Sequence, residues 1–97
     1  MRRYTITLGA STTAGGTVTS ANHLDLIDGV PVALVGDRCW CPACDSEGFI
    51  GADGARMNDC CNGRQVALSD DLCLCGCTPP PRLVAAQTLV CQVVGAA

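Results

Sequence analysis

Apolar residues recur along this chain at a spacing of two rather than three or four. Tyr4, Ile6 and Leu8 alternate with Thr5 and Thr7, the pattern of a short strand with apolar residues on one face and threonines on the other. Similar runs occupy Val30–Val35, Arg64–Leu68, Leu72–Cys77 and Leu89–Val94, divided by Gly15-Gly16, Asp28-Gly29, Asp53-Gly54 and Asn62-Gly63. The last three dividers are pairs that tolerate positive φ and close hairpin turns. The expected fold class is all-β, built of many short strands and hairpins. Leu83–Thr88 has room for one helical turn, too short to change that class. Pro79-Pro80-Pro81 fixes three φ angles and removes three donors, and reads as a rigid, extended exit from the last cysteine cluster.

One unit is written twice. Gly29, Val32, Ala33, Leu34, Asp37, Cys39 and Cys41 return as Gly63, Val66, Ala67, Leu68, Asp71, Cys73 and Cys75, at a constant offset of 34 residues. A fainter third copy opens the chain, where Leu8-Gly9-Ala10 stands in the place of Val35-Gly36-Asp37 and Ser69-Asp70-Asp71. Repeated short units of this kind bury a common core by packing on one another, and three copies imply pseudo-threefold symmetry. The whole span 1–97 reads as a single domain.

Composition then bears on what holds such a body together. A chain of 97 residues leaves much of its surface exposed, so a local staple is expected. Only one Trp, one Tyr and one Phe are present against nine cysteines. No apolar run long enough for a signal peptide follows Arg2-Arg3, which points to a reducing cytosol and to clustered cysteines as metal ligands rather than disulfides. Leu83–Val94, interrupted by Gln87, Thr88 and Gln92, falls short of a membrane span. The formal charge is −3 and the six cations are dispersed arginines, so neither nucleic acid nor a membrane is an expected partner.

The cysteines carry the chemistry. Cys41-Pro42-Ala43-Cys44 has the two-residue spacing that lets both thiolates reach one ion from a tight turn, and zinc takes four such ligands. Cys73, Cys75 and Cys77 share one face of a strand, about 6.5 Å apart in regular geometry. A bend is needed for two of them to reach one ion, and Gly76 supplies it between Cys75 and Cys77. The expected closed zinc site is therefore Cys41, Cys44, Cys75 and Cys77, with Cys73 as the substitute for one of them. Cys39, Cys73 and Cys91 are otherwise expected in the core, where free cysteine behaves as a small apolar residue. Cys60-Cys61 point opposite ways if extended and are candidates for an adventitious disulfide. A Cys-x-x-Cys redox role would place the motif ahead of a helix, and none follows Cys44. His23 reads as a solvated loop residue, and Asp37 and Asp71 as turn residues. No catalytic constellation is visible, and the chain is not expected to be an enzyme.

The repeated Gly-x-x-Val-Ala, the following Gly-Asp and Cys-Pro, the Gly-Gly after Thr-Thr, and Asp-Leu-Cys-x-Cys ahead of the prolines together resemble the PAAR-repeat family from about Tyr4 to Arg82. The resemblance implies a small β-rich cone on the trimeric valine-glycine-repeat spike of the type VI secretion system, one cap per trimer. It further implies zinc near the apex, coupling of effectors or adaptors, and a path from cytoplasmic assembly to translocation with the needle. Many members place histidine in a Thr-x-His-Gly-Gly segment and after the first Cys-Pro, where this chain has Ala14 and Asp45-Ser46. Its site is then either all-cysteine or held without metal. The alternatives are a free-standing zinc-ribbon-like binding module, whose nucleic-acid version predicts a basic face, and a small secreted toxin, for which no domain remains after Val94.

Overall fold

Three hairpins carry the architecture, each formed where a short β-prone run meets residues able to turn the chain back on itself. The computed structural model describes residues 2–21, 26–54, 60, 61, 64–77 and 80–94, and these contain short strands and no helix. The strands are β1 (Arg2–Tyr4), β2 (Ser11–Thr12), β3 (Thr17–Val18), β4 (Leu26–Ile27), β5 (Val30–Pro31) and β6 (Arg38–Cys41). They continue as β7 (Ser46–Gly51), β8 (Cys60–Cys61), β9 (Arg64–Gln65), β10 (Leu72–Leu74), β11 (Leu83–Val84) and β12 (Cys91–Val93). The all-β class expected from the alternating pattern is the one observed.

The main sheet runs β10-β7-β6-β3-β2-β11, and its two ends meet. Leu72 bridges Arg82, the Cys73 amide donates to the Pro81 carbonyl at 2.8 Å, and that of Leu83 to the Asp71 carbonyl at 2.8 Å. The sheet thus closes through three antiparallel hairpins, β2–β3, β6–β7 and the looser β10–β11, each joined to the next. Among the described residues the two end strands, β10 and β11, thus pair with each other, which protects edges that would otherwise be open.

Hydrogen bonds inside the ring repeat with threefold order. The Ile6 amide donates to the Ala67 carbonyl (2.9 Å), Ala67 to Ala33 (3.0 Å) and Ala33 back to Ile6 (2.9 Å), a closed cycle about one axis. Leu8 to Pro31, Val35 to Gln65 and Ser69 to Tyr4 form a second cycle, at 3.0, 2.8 and 2.8 Å. Gly9, Gly36 and Asp70 donate to Val18, Ile50 and Leu83 at 3.0, 2.8 and 2.9 Å, and all three donors sit at positive φ. The faint first copy is therefore a full structural repeat. Its weak sequence signal has a physical reason: the turn demands a backbone conformation, which Gly9 meets as Gly36 does, and leaves the neighbouring side chains free to differ.

Packing follows the same order. Ile6, Ala33 and Ala67 are each fully buried in one cluster with Val18, Ile50, Leu83, Cys39, Cys41 and Cys73. Covering Val18, Ile50 and Leu83 contributes about 1.5–3 kcal/mol each. A second cluster of Ile27, Val32, Leu34, Val66 and Leu68 lies beside it. Close approach of the hairpins relies on two glycines: a Cβ on Gly16 would stand 2.1 Å from the Trp40 carbonyl oxygen, and one on Gly48 2.5 Å from that of Leu74.

Several sequence expectations need correction. Thr5 and Thr7 are buried at 5% and 3% exposure while Leu8 is 38% exposed, because the ring covers both faces of this segment and the turn at Gly9 carries Leu8 outward. Residues 83–88 form no helical turn: Leu83 and Val84 are β11, paired with Thr12 and Ser11, since ring closure offers those backbone groups a partner. The run from Leu72 is strand only to Leu74, and the last strand begins at Cys91 rather than Leu89. β7, the longest strand, went unread because Gly48 and Gly51 interrupt its alternation. Of the expected turns, Asp28-Gly29 closes β4–β5 at φ 53 and 80 and Gly15 turns β2–β3 at φ 78. Gly54 has φ 87 but closes no described hairpin. Asn62-Gly63, which joins the paired strands β8 and β9, and His23 lie outside the described residues.

Candidate metal centre

Strand β6 ends at Cys41, and Pro42 to Asp45 turn the chain into β7, with the Asp45 amide reaching the Pro42 carbonyl at 3.4 Å and Asp45 itself at φ 49. Aspartate tolerates that left-handed conformation better than most side chains. The turn carries Cys44 back beside Cys41. At the equivalent end of β10 the chain bends through Cys75 and Gly76, with the Cys75 amide bonded to the Cys73 carbonyl at 3.0 Å. Gly76 packs on Cys44, where an added Cβ would lie 3.7 Å from its sulfur. Local bending thus brings Cys75 and Cys77 within reach of the first pair.

The Sγ atoms of Cys41, Cys44, Cys75 and Cys77 all lie within 4.8 Å of one another, and those of Cys41 and Cys77 are 3.6 Å apart. Four sulfurs about 2.3 Å from a tetrahedral zinc would be separated by about 3.8 Å. The donor set and its spacing fit such an ion. Cys41 is fully buried and the other three half-buried.

Electrostatics divide the four. The Ser46 hydroxyl, 2.9 Å away, holds the Cys44 thiol down to about 6, helped by the Gly76 amide. Burial pushes Cys75 up to about 11, and the hydrogen bond with Cys41, with burial second, pushes Cys77 up to about 12. Crowded sulfurs resist sharing several negative charges; a cation among them reverses that preference and displaces their protons.

The other cysteines lie elsewhere. Cys73, the expected substitute ligand, is fully buried with its sulfur 2.7 Å from that of Cys39, outside the group of four. Burial raises both thiols, Cys73 to about 12. Cys91 is half-buried on β12. The side chains of Cys60 and Cys61 lie outside the described residues.

Asp37 and Asp71 do more than turn the chain. Each carboxylate accepts the amide three residues earlier, Leu34 at 2.8 Å and Leu68 at 2.9 Å. Each also binds an arginine at 2.9 Å, Arg64 on Asp37 and Arg3 on Asp71. The guanidinium of Arg64 further donates to the Val35 carbonyl and that of Arg3 to the Ser69 carbonyl, at 2.9 and 3.0 Å. The cyclic order of the hydrogen bonds makes these the same clamp built twice. Sequence comparison pairs the aspartates readily, but the arginines precede different neighbours and escape it.

A family model for the PAAR motif matches residues 8–79. No curated protein and no solved structure matches the chain. The match spans two of the hairpins, the start of the third and all four clustered cysteines, and with the closed ring of repeats it establishes that the chain belongs to the PAAR motif family, whose members are non-enzymatic tips of the type VI secretion spike.

Proposed function

We propose that this chain is a one-piece cap that sharpens a trimeric valine-glycine-repeat spike, with residues 1–97 acting as one domain and zinc held by Cys41, Cys44, Cys75 and Cys77. The observation that carries the reading is the cycle of hydrogen bonds through Ile6, Ala33 and Ala67, by which a single polypeptide presents threefold backbone order. Such a body can offer an equivalent surface to each subunit of a threefold trimer while coming to a single point, which a homotrimeric cap would not do. A bound ion would tie the β6–β7 turn to the bend at the end of β10, because metal binding energy counts there as folding energy. Assembly then takes place in the producing cytoplasm, and the cap leaves with the needle, carrying any effector or adaptor non-covalently.

Mixing the protein with its trimeric spike and weighing the complex by native mass spectrometry tests the reading: one cap per trimer is expected, and no complex at micromolar concentration would overturn it. Elemental analysis of protein purified without chelator is expected to find one zinc per chain.

A further inference from the structure

We infer that Cys39 and Cys73 form a disulfide-forming pair separate from the four-cysteine cluster, so that a small-molecule disulfide can covalently lock the ring. The two residues occupy equivalent places in the second and third repeats, on β6 opposite Gly48 and on β10 opposite Ile50 of the intervening β7. Strands on either side of a third lie roughly 10 Å apart in a flat sheet, yet ring closure brings these sulfurs to 2.7 Å. That is well inside the about 3.5–4.0 Å at which unbonded heavy atoms rest and near the about 2.05 Å of a disulfide bond.

The first repeat explains why two sulfurs, and not three groups, meet here. Thr12 fills the equivalent position, and its hydroxyl oxygen accepts the Gly16 amide at 2.9 Å and the Ala14 amide at 3.3 Å within its own hairpin. Cys39 and Cys73 are left facing each other, both without solvent exposure. With oxidised glutathione as the oxidant, one sulfur attacks its S–S bond and releases a glutathione thiol. The second sulfur then displaces the other. A bond forms between the two Sγ atoms, both thiol protons are lost to solvent or the leaving thiolates, and two electrons reduce the glutathione disulfide. Burial restricts this exchange to folding or transient opening, and shields the finished bond from reductants.

The test incubates the full chain, purified with zinc, with oxidised glutathione, then denatures it with chelator and counts alkylatable thiols by intact mass. Two fewer thiols, no retained glutathione and a melting midpoint higher by on the order of 10 °C are expected for a loop of this length. Cys39→Ala and Cys73→Ala are each expected to abolish the loss, and Cys60→Ser to leave it intact. Fragment-ion spectra of the linked tryptic peptides 39–56 and 65–82 locate the bond without any variant. An unchanged thiol count, a loss that persists in Cys39→Ala, or a bond at another cysteine overturns the inference. Metal content is read separately, so a chain that binds no zinc but forms this bond refutes only the metal reading.

Discussion

In the second and third repeats the turn ends in an aspartate that caps an amide and holds an arginine; in the first the same place is Ala10, and Val30 stands where the arginines stand. The cluster shows a parallel contrast, since Cys41 and Cys75 correspond to Ala14, and Cys39 and Cys73 to Thr12. Yet the first repeat keeps its place in each cycle of backbone hydrogen bonds, with the Ala10 amide reaching Thr7 at 3.1 Å as Asp37 reaches Leu34 at 3.0 Å and Asp71 reaches Leu68 at 3.1 Å. Threefold order therefore resides in the backbone, whereas the aspartates and the paired thiols come from the second and third repeats, the first contributing Arg3 to one clamp. Removing the acid and the base from one clamp together avoids an uncompensated buried charge.

The largest effect should separate equivalent positions at the cluster. Cys41→Ser and Cys75→Ser are expected to lose zinc and several kcal/mol of stability, a part of the about 10–16 kcal/mol structural zinc supplies in small domains. Ala14→Ser, in the first repeat, should keep full metal content by elemental analysis. Zinc should also be released as pH falls, because every ligand must give up a proton to bind; a metal-sensitive dye reads that titration.

Next come the clamps. Arg3 and Asp71 are 1% and 0% exposed, so Asp71→Ala alone should cost about 3–5 kcal/mol by urea unfolding. Adding Arg3→Val copies the solution of the first repeat and should recover a large share. A single variant as stable as the parent would break the comparison. At the other clamp Arg64 is 44% exposed, and Asp37→Ala should cost about 1–2 kcal/mol, chiefly through the amide it leaves uncapped.

The smallest effect lies at Arg82–Asp53, 2.8 Å apart and half-exposed. Arg82 holds the Asp53 carboxyl below its ordinary range. Its stabilisation is in place above the unfolded value near 3.9 and is lost as pH falls through the lowered folded value. Melting curves of Asp53→Asn and parent should differ slightly at neutral pH, converge in acid, and converge at about 1 M salt, where screening is strong.

Much of this was legible beforehand. Turn chemistry is local, so Asp28-Gly29 and Gly15 announced their hairpins, and alternation announced strands. The Cys-x-x-Cys spacing and the bend at Gly76 are local too, which is why four cysteines could be singled out by number. β7 was hidden by its glycines, whose purpose is a close approach visible only across the sheet. Arg3 was hidden because its partner lies 68 residues away.

The amino-acid sequence by itself determined the all-β class, the doubled unit with its faint third copy, and the turns at Gly15 and Asp28-Gly29, because each depends on neighbours in sequence and the backbone geometry they permit. Only the tertiary structure decided that the sheet closes, that Thr5 and Thr7 go inside, that Cys73 faces Cys39 and not the cluster, and that two repeats carry arginine clamps. These are long-range pairings, selected when three segments of one chain meet around an axis and each buried polar group must find its partner there.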